Sequence, residues 1–207
     1  TIRRRIVIPA SGGGSAAIAL SNNDSVSHVT NTHKTSYTKP FTVSATSNRY
    51  AVLFETNPSS STHRIDSVVF IVNDDGSRLP WTRIDSVSRT GAATHHEVWG
   101  YLNPPTTVDS INVFMSGTNT AFTWWAGVFK NVNQSTPYST PKNATGFSTT
   151  PAVSTLSSGT TEYPLAAVGW YAAKTVTDGQ TTVAQRQTNS SSLSSLVVST
   201  TTGAATV

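Results

Sequence analysis

Apolar and polar positions along this chain come in short bursts of extended character, separated by turn-forming residues. The clearest bursts are Ser47 to Thr56, Ile65 to Val72, Glu97 to Leu102, Val108 to Met115, Ala121 to Phe129 and Tyr163 to Ala172. The first five are closed by breakers: Asn57-Pro58, Asn73-Asp74-Asp75-Gly76, Asn103-Pro104-Pro105, Ser116-Gly117 and the run from Asn133 to Pro137. Proline ends a ladder because it has no amide hydrogen, and glycine supplies the positive φ of a tight turn. Weaker strands are expected at Val26 to Val29, Tyr37 to Val43, Leu79 to Ile84 and Ser194 to Thr200. Ser21 to Ser25 reads as a loop, and Asp178-Gly179 as the turn of a late hairpin. No segment repeats apolar residues with helical spacing over three turns. The pattern predicts an all-β chain, an antiparallel β-sandwich of two stacked layers and jelly-roll type, with roughly nine or ten strands.

Two segments stand apart from that pattern. Residues 1–14 read as an extended N-terminal arm: Arg3-Arg4-Arg5 leads into Ile6-Val7-Ile8-Pro9 and then a Gly12-Gly13-Gly14 hinge. Residues 15–207 read as one β-sandwich domain. Within it, Tyr138 to Thr161 is long for a connection inside a compact domain, and a wrapping segment held by Phe147, Val153 and Leu156 is expected.

Composition narrows the function classes. Only 12% of residues are charged, and roughly three in ten are Ser or Thr, a surface suited to life outside cells or on particles. Five Trp, six Tyr and seven Phe supply enough core mass to argue against a disordered chain. There is no cysteine, and no apolar run has the length of a membrane span. The net charge is +4, but the basic residues outside Arg3-Arg4-Arg5 are scattered, unlike the dense basic face of a specific nucleic-acid binder. Thr1 is expected to follow a removed initiator Met rather than a cleaved secretory signal, which implies synthesis in a cytosol and export as part of something larger.

Four blocks carry a resemblance: Asn48-Arg49-Tyr50-Ala51-Val52-Leu53-Phe54, Asp66-Ser67-Val68, Glu97-Val98-Trp99-Gly100-Tyr101-Leu102-Asn103-Pro104-Pro105, and Gly127-Val128-Phe129-Lys130-Asn131-Val132-Asn133-Gln134-Ser135-Thr136-Pro137. In this order they resemble a β-sandwich domain of tailed-phage virion proteins, capsid decoration and fibre proteins among them, and of bacterial secreted surface proteins. The resemblance covers roughly residues 45 to 200. It implies a structural or adhesive role and carries no catalytic residues to transfer.

The candidate chemistry is sparse. In a strand, His95 and Glu97 share a face while His96 points away, so this run offers two ligands and no metal or other cofactor is expected. A third ligand would have to come from His28, His33 or His63, and Asp24, Asp74 and Asp75 read as turn residues rather than calcium ligands. Neither a nucleophile elbow nor a phosphate loop occurs, so no catalytic residues are assigned and no enzyme activity is expected. Trp124 and Trp125 are neighbours in one strand, so one ring should enter the core and the other reach an outer face, a subunit interface or a sugar. Its alternative is cover from a loop or from the arm.

The expected function is therefore a non-enzymatic virion structural protein, a capsid decoration or cement protein on the particle surface. Its partners would be the major capsid protein or other virion subunits and further copies of itself, a trimer being the first guess. Arg3, Arg4, Arg5, Ile6, Trp124 and Trp125 would make the contacts. The alternative is a carbohydrate-binding or adhesive module of a phage tail, a fibre or a secreted bacterial surface protein, with a glycan as partner and an extracellular setting. Neither reading involves specific nucleic acid or a membrane.

Overall fold

A computed structural model describes residues 2–12, 17–30, 34–57, 64–73, 76–89, 94–117, 122–145, 161–170, 181–187 and 195–200. Their strands are β1 (Ile2–Ile8), β2 (Ala19–Thr30), β3 (Ser36–Pro40), β4 (Tyr50–Asn57), β5 (Ile65–Val72), β6 (Arg78–Pro80), β7 (Thr82–Arg89), β8 (Thr94–Leu102), β9 (Val108–Met115), β10 (Phe122–Lys130), β11 (Lys142–Thr145), β12 (Tyr163–Trp170), β13 (Thr181–Gln187) and β14 (Ser195–Thr200). The all-β antiparallel sandwich expected from the pattern is what forms. It has three sheets rather than two: β11-β1-β12-β14-β13, which we call the terminal sheet; β2-β10-β4-β8-β7, the central sheet; and β3-β9-β5-β6, the outer sheet.

The central sheet is covered on both faces. Ala51 and Leu53 of β4, Trp99 of β8, and Trp124, Ala126 and Val128 of β10 pack with Tyr37, Val68, Phe70, Ile111 and Val113 of the outer sheet. Tyr50, Val52, Phe54, Val98, Trp125 and Phe129 point the other way, onto Ile6, Ile8, Leu165, Ala167, Leu196 and Val198 of the terminal sheet. A strand in such a position must be apolar at consecutive residues, and Ala51-Val52-Leu53-Phe54 and Trp124-Trp125-Ala126 are. Every residue of β4 is buried, whereas β9 alternates as a strand with one open face does. Each fully buried large side chain contributes about 1.5–3 kcal/mol of transfer free energy.

Several sequence expectations change here. The basic segment does not extend as an arm: Ile2–Ile8 is an inner strand between β11 and β12, with Arg5 opposite Lys142 and Ala166. Arg4 and Ile6 are fully buried and Arg5 nearly so, while Arg3 is half-buried. Alternation turns Ile2, Arg4, Ile6 and Ile8 inward together, and three isoleucines outweigh one guanidinium. Neither Trp124 nor Trp125 reaches the surface, at 0% and 3% exposure, because sheets lie over both faces. Ser21 to Ser25 belongs to β2 rather than to a loop. The stretch after Pro137 does wrap at its start: Tyr138 stacks on Tyr50 at 6.0 Å, the Ser139 amide donates to the Val7 carbonyl at 2.8 Å, and Lys142–Thr145 pairs with β1. Phe147, Val153, Leu156 and the Asp178-Gly179 turn lie outside the described residues.

Three of the blocks that carry the resemblance meet at one end of the body. Asn48, Asn103 and Asn131 all adopt positive φ, a conformation that asparagine tolerates better than most residues. Arg49 donates from Nε to the Pro104 carbonyl at 2.8 Å and from Nη1 to the Thr46 carbonyl. Its own carbonyl accepts from the Asn103 amide at 2.9 Å and from Gln134 Nε2 at 3.3 Å. Asn133 Oδ1 caps the Ser135 and Thr136 amides. These motif residues tie strand ends together.

An inner β1 makes the first residues structural. Ile6→Ala should cost about 2–5 kcal/mol, and deletion of residues 1–8 should abolish cooperative unfolding, both followed by circular dichroism melts. A deletion variant that melts like the intact chain would refute this placement.

Candidate functional site

At the end of the central sheet away from the asparagine turns, the interior becomes polar. Glu55, Thr56 and Asn57 of β4, Thr94 to Glu97 of β8 and Thr123 of β10 are all buried. The ladder sets Glu55 opposite Glu97, Thr56 opposite His96, and Asn57 opposite His95. Facing positions share a face, so Glu55, Asn57, His95 and Glu97 sit on the outer-sheet side while Thr56 and His96 face the terminal sheet.

On the outer-sheet side the expected face-sharing of His95 and Glu97 is found, as a hydrogen bond of 2.7 Å between His95 Nε2 and Glu97 Oε1. The other carboxylate oxygen accepts the Trp99 indole N–H at 2.7 Å. His95 Nδ1 lies 2.7 Å from Ser88 Oγ on β7. His95 and Glu97 are thus engaged with protein atoms, and the described residues contain no cluster of three metal-ligating side chains. His33 and His63 lie outside the described residues.

Glu55 faces Glu97 across the ladder with neither oxygen at good hydrogen-bonding geometry. Burial raises its pKa well above the ordinary value, and the neighbouring Glu97 charge pushes it the same way. The Glu97 backbone and the Arg4 charge pull in the opposite direction without cancelling the rise. Glu55 is therefore held as the neutral acid, which spares the interior a second carboxylate beside Glu97.

On the terminal-sheet side Arg4 is the buried charge. Its Nη2 lies 3.4 Å from Asp85 Oδ2 and 3.5 Å from the His96 carbonyl. Burial works against this guanidinium charge, and the carboxylates of Asp85, first, and Glu97 work for it. Asp85 also accepts from Asn143 Nδ2 at 3.3 Å, so one carboxylate ties β7 to both β1 and β11. A bulge between Arg83 and Asp85 makes this possible, because the extra residue turns Asp85 to the face of Val98 and Arg4. His96, fully buried between Thr56 and the Gly169 backbone, has both ring nitrogens unpartnered. Burial, then the neighbouring Arg4 charge, lowers its pKa well below the ordinary value, and the ring is neutral.

Sequence reasoning singled out His95, His96 and Glu97 but missed Glu55, Asp85 and Ser88, which only the strand register brings to them. One signal was present: a glutamate inside the apolar run of β4 had to meet something buried. Compared with family models, with curated proteins and with solved structures, the chain matches none. What it does rests on its own residues.

Two expectations test the network. A Cβ on Gly169 would lie 1.9 Å from His96 Nε2, so Gly169→Ala should destabilise by about 1–3 kcal/mol or more, and His96→Ala in the same chain should recover part of the loss. An additive double mutant would break the contact argument. For Glu55, the folded chain keeps a proton that the unfolded chain releases above about pH 4.5, so stability falls as pH rises from there toward the raised folded value. Glu55→Gln should remove that decline in denaturant titrations at several pH values; an unchanged slope would show that Glu55 is ionised when folded.

Proposed function

We propose that this chain is a structural subunit of a virion, a capsid decoration or cement protein, and that it meets its neighbours through the exposed face of the outer sheet. The observation that carries the reading is the make-up of that face. Val68 and Phe70 of β5 and Ile111 and Val113 of β9 point into the core. Alternation therefore turns Thr38, Ile71, Asn112, Phe114 and Arg78 outward. Arg78 lies over the Phe114 ring, 5.5 Å from its centroid. An aromatic ring and an arginine among small uncharged side chains is the composition of a protein–protein contact core. The resemblance of the β4, β8 and β10 blocks to virion sandwiches supports the same setting. Homo-oligomerisation and binding to a major capsid protein belong to this proposal.

Arg4, Arg5 and Ile6 of the N-terminal segment support it less than expected, since they are committed to the terminal sheet. The carbohydrate-binding alternative loses its stacking platform, because both rings of the Trp124-Trp125 pair are enclosed.

The test is association with particles. Chain added to particles lacking it should co-sediment, and Arg78→Glu with Phe114→Ala should reduce bound protein at least about tenfold while the melting curve is kept. Undiminished binding by that variant would remove the outer sheet as the contact. A chain absent from purified particles, by mass spectrometry, would remove the virion reading.

A further inference from the structure

Ser88, a partly exposed residue at the rim of the buried network, is in contact with the base that a serine nucleophile needs. Its Oγ lies 2.7 Å from His95 Nδ1, and His95 Nε2 lies 2.7 Å from Glu97 Oε1. Glu97 is held in turn by the Trp99 indole N–H at 2.7 Å. We propose that Ser88, His95 and Glu97 form a nucleophile–base–carboxylate relay, and that Ser88 is an acyl-transfer nucleophile toward small carboxylic esters. This goes beyond the non-enzymatic structural role proposed above and does not depend on it.

A serine hydroxyl is a weak nucleophile at neutral pH unless an adjacent base takes its proton, and the base must be oriented by a third group. Here the orientation follows from the hydrogen bonds. A carboxylate only accepts, so His95 carries its proton on Nε2 toward Glu97. Nδ1 is then a lone pair facing Ser88 Oγ, the tautomer that a general base requires. The carboxylate stabilises the imidazolium formed when the proton moves, and the Trp99 contact keeps it from turning away.

The strand pairing adds a second element. The Ser86 amide donates to Asp85 Oδ1 at 2.8 Å, so it points away from β8, toward the open edge of the central sheet. Backbone direction alternates along an antiparallel strand, which aims the Ser88 amide at the same edge. Ser88 and His95 then form a non-hydrogen-bonded pair, the kind in which facing side chains approach most closely. A nucleophile's own amide beside its hydroxyl is a donor for the oxyanion that develops on attack. His95 and Glu97 are sealed at 1% and 0% exposure while Ser88 is half-buried, so an ester reaches the relay only through Ser88.

In the step proposed, Ser88 Oγ bonds to the ester carbonyl carbon while its proton passes to His95 Nδ1. Collapse of the tetrahedral intermediate breaks the carbon–alkoxy bond, and the leaving alcohol takes the proton back from His95. The acyl group remains on Ser88 until water, deprotonated by His95, releases it as a carboxylic acid and restores the hydroxyl.

A fluorophosphonate reagent tests this on the intact chain, with intact mass and peptide mapping as the readout. The expected result is a single adduct on Ser88 among the chain's many hydroxyls, none at that position in Ser88→Ala, and labelling at least about 100-fold slower in His95→Gln. No adduct, an adduct on another residue, or Ser88 labelling that is indifferent to His95→Gln overturns the relay. If His95→Gln does not fold, the wild-type experiment decides alone: selective labelling of Ser88 supports the proposal, and scattered or absent labelling defeats it. Particle association is a separate measurement, so either proposal can fail without the other.

Discussion

The structure depends on a sheet that has no solvent-facing side. Once β4, β8 and β10 are covered above and below, each of their side chains must be apolar, find a polar partner inside the protein or give up its charge. The apolar part of the central sheet meets this demand with two clusters, one for each neighbouring sheet. The polar part meets it with Glu97 taken up by His95 and Trp99, Arg4 taken up by Asp85, and Glu55 and His96 held neutral.

That constraint joins the beginning of the chain to its end. β1 closes the gap between β11 and β12, so residues 2–8 complete a sheet whose other strands come after residue 141. Arg4 then lies under β8, and the bulge in β7 brings Asp85 to it. A buried guanidinium paired at one point is weak evidence of stability, because desolvation offsets much of the attraction. Its specificity is clearer: shifting β1 by one residue would turn Arg4 outward and Arg3 or Arg5 inward, away from Asp85. Edges are handled by other means. β6 has three residues and β11 four, and Pro40 and Pro80 end the two edge strands of the outer sheet.

Strand positions could be read locally where alternation and turn chemistry agree. β5, β9, β10 and β12 fall within a residue or two of the segments expected from their apolar bursts, β8 begins three residues before its own, and Asn73 to Gly76 carries the positive φ of its turn at Gly76. β2 was misread because Ser21-Asn22-Asn23-Asp24-Ser25 has the composition of a loop, yet the residues on either side of it pair with β10, Ala19 and Leu20 before it and Ser25 to Thr30 after it, with an irregularity between. Tertiary pairing overrode propensity there, as it often does for strands. The sharing of a face by His95 and Glu97 was also readable, being a property of any extended strand. Their bonds to Ser88 and Trp99 were not, because hydrogen bonds across a ladder depend on its register.

From its order of residues alone this chain is an antiparallel β protein, since period-two alternation and turn residues act over a few positions. How many layers it has, and what becomes of its charges, was decided by the tertiary structure. Consecutive apolar residues such as Trp124-Trp125 state only that both faces need cover; which strands supply it is a matter of contacts across the length of the chain. The same holds for Arg3-Arg4-Arg5. Three arginines at a terminus look like a surface feature until β12 and β11 pair on either side of them, and then alternation buries the middle one against Asp85.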